Sequence, residues 1–149
     1  MNFMISKTIL YESLSHFQSV VEKRNTIPIL SNIKLKTDDG KIQITATDLA
    51  IEMSELVSGK IITPGELTIP SQLLFDIIRK IPDNSEIEIK EHNETGRVFI
   101  LFGESRFSLP FLPSSDFPEM ESESFENDFV LSTDKLKYLL DGSKFSMGV

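Results

Sequence analysis

The sequence contains no cysteine, which removes both a disulfide framework and any thiolate-ligated metal centre from consideration. Histidine is nearly as scarce, with only His16 and His92, so neither an imidazole-built metal centre nor another cofactor is expected. Long apolar runs are also missing: nothing approaches the roughly 18 consecutive apolar residues of a membrane-spanning helix. The opening Met1-Asn2-Phe3-Met4-Ile5-Ser6 has no basic region followed by a signal-length apolar stretch. These absences lead to the expectation of a soluble, cytoplasmic protein with no membrane partner. Asn93-Glu94-Thr95 then reads as part of a polar turn rather than a glycosylation acceptor. Catalytic signatures are lacking as well. There is no Gly-x-Ser-x-Gly, no Gly-rich phosphate cradle and no His-Glu-x-x-His pattern, and the one obvious acid pair, Asp38-Asp39, falls in a turn where both carboxylates are solvated. An enzyme domain awaiting a missing partner is therefore the least supported functional class.

What is present is acidic, but unevenly so. The chain has 149 residues, enough for one domain with a real core and part of another, and a net charge of −8. Seven of its 23 acids and none of its 15 bases lie between Phe107 and Asp134. Outside that stretch, 16 acids face 15 bases, so a locally basic surface remains available to a phosphate-bearing partner. The overall charge taken alone would instead suggest an acidic protein-interaction module with no nucleic-acid role.

Three segments carry helical periodicity, each after a short extended run. Leu10, Leu14, Phe17 and Val21 follow Phe3-Met4-Ile5 and a Ser6 cap, which predicts a helix of about four turns. Leu73, Leu74, Ile77, Ile78 and Ile81 follow Leu67-Thr68-Ile69 and Pro70, with Asp83-Asn84 as the stop. Leu136, Leu139 and Leu140 follow Phe129-Val130-Leu131 and Ser132, ending near Gly142. The three starts are spaced by 64 and 62 residues, with Leu10, Leu74 and Leu136 equivalent, and Leu14, Ile78 and Leu140 equivalent. All three apolar stripes are assigned to core.

Between the helices the pattern changes to alternation. Asn32–Lys36 and Lys41–Thr45 flank Thr37-Asp38-Asp39-Gly40 as a hairpin, and Glu86–Lys90 and Arg97–Phe102 form its counterpart in the second unit. Further extended stretches run from Ala50 to Val57 and from Ser105 to Leu109. The expected fold is α+β: two strand–helix–antiparallel meander units related by a pseudo-twofold axis, sheets outside and helices side by side. The acidic stretch, with Pro110, Pro113 and Pro118, reads as a connection. This divides the chain into a first domain, residues 1–120, and residues 121–149, the connection with the opening strand and helix of a second domain that this period would complete further on.

Five motifs then stand in order along the chain. They are Arg24 with Thr26-Ile27-Pro28-Ile29-Leu30-Ser31-Asn32, Thr47-Asp48-Leu49 before Glu52-Met53, Ser105-Arg106-Phe107-Ser108-Leu109, Asp116-Phe117-Pro118, and Phe145-Ser146-Met147. With them the sequence resembles the bacterial DNA sliding clamp family, the beta subunit of the replicative polymerase, over its whole length. The resemblance implies the DNA-clamp fold, with three such domains per chain and two chains closed head to tail into a homodimeric ring. Helices face the lumen and sheets the rim. It also implies a non-catalytic processivity role, with double-stranded DNA, the polymerase and the clamp loader as partners. The pocket that receives partner peptides lies between the second and third domains in the family, outside this chain.

A clamp has to hold duplex without gripping it, which suits sparse, sequence-independent contacts to phosphate. The candidates are Lys23 and Arg24 beyond the first helix, Arg79 and Lys80 at the end of the second, and Gln72 on a neighbouring face. Bases at a helix C-terminus also complement the macrodipole, and spacing alone does not separate the two roles. The resemblance favours DNA contact for Arg24. At Gln72 this sequence departs from the family pattern, which carries a base there. Arg106-Phe107-Ser108-Leu109 corresponds to the strand that pairs with another subunit to close the ring, where a buried aromatic is an effective anchor. On pattern alone Phe107 and Leu109 fit better as alternate inward residues of an ordinary strand, and it is the resemblance that favours the interface. Asp48 and Asp116 are expected to form turns or caps rather than to carry chemistry.

Overall fold

The structure is a computed structural model that describes residues 1–21, 27–119 and 129–146. Strand β1 (Asn2–Ser6) runs directly into helix α1 (Lys7–Phe17). A meander follows, β2 (Asn32–Asp38), β3 (Lys41–Thr47) and β4 (Glu52–Ser58), and then a short strand, β5 (Lys60–Thr63). The order then repeats with β6 (Gly65–Pro70), α2 (Ser71–Lys80), β7 (Glu86–His92), β8 (Arg97–Phe102) and β9 (Ser105–Pro110).

The two units do not fold side by side; they exchange their leading strands. One sheet has the order β5-β1-β7-β8-β9 and the other β4-β3-β2-β6. The opening strand of the first unit pairs antiparallel with the meander of the second, Phe3 opposite Ile89 and Ile5 opposite Ile87. The opening strand of the second pairs with the meander of the first, Leu35 opposite Leu67 and Ile33 opposite Ile69. Neither unit can therefore complete its sheet without the other.

Alternation sets the faces of both sheets. Phe3, Ile5, Ile87, Ile89, Val98 and Ile100 of one sheet and Ile33, Leu35, Ile42, Ile44, Leu67 and Ile69 of the other are buried in a single cluster. Leu10, Leu14 and Phe17 of α1 and Leu74 and Ile78 of α2 join it. The chain crosses between sheets at Gly59, where any Cβ would collide with Ile42 Cδ1 and come within 3.0 Å of the Met4 carbonyl oxygen. Past β9 the chain returns to the opposite sheet, where Leu112 bridges to Thr68 in both directions of the backbone, at 3.1 and 3.2 Å. The buried Asn32 amide donates to Thr68 Oγ1 at 3.0 Å and so completes the polar pairing there. Phe117 of the Asp-Phe-Pro motif is buried against Ile29 and Leu30 in a small satellite core.

Several sequence expectations are corrected. Helix α1 spans 11 residues, about three turns, and Val21 lies beyond it, packed against the core from the turn that follows. Ser6 occupies the cap position of α1 without a side-chain hydrogen bond. The backbone N–H of Lys7 donates instead to the Ser85 carbonyl at 2.9 Å, so the loop after α2 satisfies that helix start. In α2 the core stripe is narrower than expected: Leu74, Ile78 and Ile81 are buried, whereas Leu73 is 50% exposed. The extended stretch expected from Ala50 begins at Glu52, because Thr47–Ile51 forms a tight turn. Strand β5 was not anticipated.

Residues 129–146 are described by themselves. Ser132 caps helix α3 (Thr133–Ser143), its hydroxyl accepting from the Lys135 backbone N–H at 3.4 Å, and the helix ends one residue past Gly142, as expected. Phe129, Val130 and Leu131 form no strand, and Leu136, Leu139 and Leu140 are exposed. Their assignment to a core is thus not met among the described residues: a strand needs a ladder partner and a stripe a facing surface, and neither stands against them there.

Candidate functional site

The two helices pack against each other in opposite directions. At one end the Lys7 ammonium pairs with Asp83 beyond the end of α2 at 2.5 Å; at the other, the Gln18 amide reaches Ser71 Oγ at the start of α2 at 3.5 Å. Between them Tyr11 and Phe75 stack with ring centroids 5.5 Å apart and planes 16° from parallel. These residues are 64 positions apart, the repeat spacing, so the stack joins equivalent positions across the pseudo-twofold axis. Lys7 Nζ lies 4.8 Å from the Tyr11 ring centre and the Arg79 guanidinium 5.8 Å from that of Phe75, so each ring of the stack has a cation beside it.

The face of the pair turned away from the core is polar. On α2 it carries Gln72, Asp76, Arg79 and Lys80, all on the side opposite Leu74 and Ile78. On α1 the equivalent places hold Thr8, Glu12, Ser15 and His16, of which Thr8, Glu12 and His16 are exposed. Asp76 is the hub of the α2 face. One of its oxygens accepts from Gln72 Nε2 at 3.2 Å, and the other pairs with Arg79 at 3.2 Å. The structure thus brings Gln72 and Arg79 together through a carboxylate that the sequence reading passed over. The signal was available, since positions 72, 76 and 79 are spaced i, i+4 and i+7. Lys80 is exposed beside them. Lys23 and Arg24 lie outside the described residues.

The other expected site is at the sheet edge. Strand β9 is the last strand of its sheet. Leu109 is buried and points inward, whereas Phe107, on the same face opposite Ile100, is 40% exposed and stacks on Phe102 at 6.1 Å. The other face presents Arg106, whose guanidinium lies 3.7 Å from the Phe99 ring centre. Ser108 is tied to Arg97, which donates to its hydroxyl at 2.6 Å and to its carbonyl at 2.9 Å. The edge therefore offers an aromatic anchor on one face and a flat-packed cation on the other.

Of the two motif aspartates, Asp48 accepts the backbone N–H groups of Ala50 and Ile51 at 2.9 and 2.8 Å. The bonds from Ile51 and then Ala50 hold its carboxyl below the usual aspartate range. The turn they close keeps Leu49 at a φ of +76°. Asp116 closes the short 3-10 turn Ser114–Asp116 ahead of Phe117. Among the described residues no group of three or more acidic or imidazole side chains is placed to hold a metal ion, and no helix is long and apolar enough to cross a membrane.

Two strand-exchanged units around one core, with paired antiparallel helices presenting a polar face and an open strand edge, define a domain of the DNA-clamp class. Solved structures agree. A sliding clamp from Caulobacter crescentus superposes with a TM-score of 0.92 at 39% identity, covering 97% of this chain and 39% of its own. The DNA polymerase III subunit beta of Pseudomonas aeruginosa does so with a TM-score of 0.94 at 33% identity, over 100% of this chain and 40% of its own. Residues 1–121 match the family described as DNA polymerase III beta subunit, N-terminal domain, and the chain belongs to that family. Among curated relatives, the beta sliding clamp of Caulobacter vibrioides strain NA1000 is 39% identical over 147 residues, covering 99% of this chain. That of Escherichia coli K12 is 35% identical over 148 residues, also covering 99% of this chain. The chain spans 40% of the length of each of these two relatives.

Proposed function

We propose that this chain is the first-domain segment of a DNA-encircling processivity clamp, a non-catalytic cytoplasmic subunit that tethers the replicative polymerase to duplex DNA by topology. In this reading residues 1–120 form the domain, and residues 121–149 are the connection and the opening helix of the next, with Phe129-Val130-Leu131 a strand only once the rest of that domain supplies a ladder partner. The α1/α2 pair faces the lumen. Lys23, Arg24, Gln72, Arg79 and Lys80 touch the phosphate backbone without reading sequence, and the sheets lie on the rim. Arg106, Phe107, Ser108 and Leu109 pair with a second subunit to close a homodimeric ring. The polymerase and the clamp loader engage the protein through a pocket outside this segment.

The observation that carries the proposal is the outward face of the helix pair. It holds two exposed cations, Arg79 and Lys80, and two acids, Glu12 and Asp76. Such a balanced face attracts phosphate only weakly, which suits a protein that must move along duplex rather than stay at one place.

The test is retention of the complete subunit on closed circular duplex followed by a single cut. The expected result is protein that stays on the circle and leaves within the time of linearisation. Equal retention on circle and linear DNA would mean ordinary backbone binding and would remove the topological reading. No association with either would favour the acidic protein-interaction module.

A further inference from the structure

The α2 face has a carboxylate where a surface selected only for phosphate contact would have none. Asp76 is half-exposed, on the side of the helix opposite the buried stripe, and it engages the two candidate contact residues at once. Arg79 is held on both sides, by the Asp76 oxygen at 3.2 Å and by the Phe75 ring at 5.8 Å. A guanidinium in that position has its charge partly cancelled by the carboxylate one turn away. The pseudo-twofold equivalent of Asp76 is Glu12, so the same sign recurs at the matching outward place on α1.

From this arrangement we infer that Asp76 is a positioning residue that restrains Arg79, and with it Gln72, so that the helix pair contacts duplex phosphate less tightly than its cations alone would. The inference rests on the proposed DNA-facing role of α2. Its physical basis is a competition. A phosphate oxygen and the Asp76 carboxylate seek the same guanidinium N–H groups, and the carboxylate is always within reach. A phosphate that takes the N–H group facing Asp76 displaces the carboxylate, and one that binds the remaining donors meets a partly neutralised cation, so either contact is weaker than one to an unpaired Arg79. Phe75 limits the alternatives further, because a guanidinium lying against the ring has fewer rotamers from which to reach outward.

The experiment compares wild type, D76N, R79A and the double variant D76N/R79A in the complete subunit, measuring binding to a short linear duplex across a salt series. Asn keeps the shape of the side chain and its contact with Gln72 while removing the charge that holds Arg79. D76N is expected to bind about three- to tenfold more tightly at low salt. The slope of log affinity against log salt should steepen by about 0.9, the value of one further phosphate contact. In the R79A background the same Asp76 change is expected to produce no gain. Unchanged binding by D76N overturns the inference, as does weaker binding, which would mean that Asp76 presents Arg79 to phosphate. A gain that persists without Arg79 overturns it too, since the carboxylate would then act by its own charge. If wild type and every variant lack salt-dependent duplex binding and are not retained on circles, the proposed function itself fails and the inference falls with it.

Discussion

Glycine at position 59 is required by the space around it, not by its backbone angles. The chain passes there from one sheet to the other, and the missing side chain lets Ile42 and the Met4 carbonyl close over it. Gly59→Ala is expected to destabilise the domain by about 1–3 kcal/mol, the usual range for overpacking a filled core. Chemical denaturation checks this, and the same change at Gly40, where nothing lies within 4 Å but φ is +76°, gives a comparison governed by backbone strain alone. The position could not be singled out from sequence, since Ser58-Gly59-Lys60 reads as an ordinary turn. The same applies to Asp76. The types of Gln72, Arg79 and Lys80 point to phosphate contact by themselves, whereas the link that Asp76 makes between two of them depends on side-chain rotamers that spacing does not fix.

Elements were legible where their periodicity was long and where local pattern decides the outcome. The helices α1 and α2, the β2–β3 hairpin and the β7–β8 pair follow directly from spacing and alternation. Strand β5 did not, because Lys60–Thr63 is only four residues long, too short to show a period, and buries little of any side chain. Leu73 was assigned to core by hydrophobicity, yet α2 buries only a narrow stripe, since its opposite side is turned outward from the helix pair. In β9 Leu109 is an inward core residue, as the ordinary-strand reading has it, while Phe107 on the same face is 40% exposed. If β9 closes the proposed ring, Phe107→Ala is expected to cost little in domain stability while weakening subunit association about tenfold or more, the loss of one aromatic anchor. Sedimentation of the complete subunit together with thermal denaturation separates the two effects. A large loss of thermal stability with unchanged association would assign Phe107 to the core alone.

At the scale of the whole molecule, the repeat of 64 residues was visible but the exchange of leading strands was not. Alternation says which face of a strand is buried; it does not say which strand lies beside it, and here both partners are distant in sequence. That exchange makes the pair of units one body, fixes α1 antiparallel to α2, and places the Tyr11–Phe75 stack on the pseudo-twofold axis. It also separates the surface into a helix face and an outer sheet face. The central claim is that the helix face is the one turned to duplex.

Residues 1–149 contain no cysteine, so a thiol introduced on either face is unique within this segment, and any cysteine elsewhere in the complete subunit is first replaced by serine. Thr8 on α1 and Ser54 on β4 are both small, exposed and hydroxyl-bearing. Ser54 belongs to the outer sheet face, where its hydroxyl accepts from the Gln43 amide at 2.8 Å. The deciding measurement is photo-crosslinking to circular duplex from a short thiol-attached probe at Thr8→Cys or Ser54→Cys in the loaded complete subunit. The account predicts crosslinks spread along the duplex from position 8 and background from position 54. Crosslinking from position 54 equal to or above that from position 8 would contradict it.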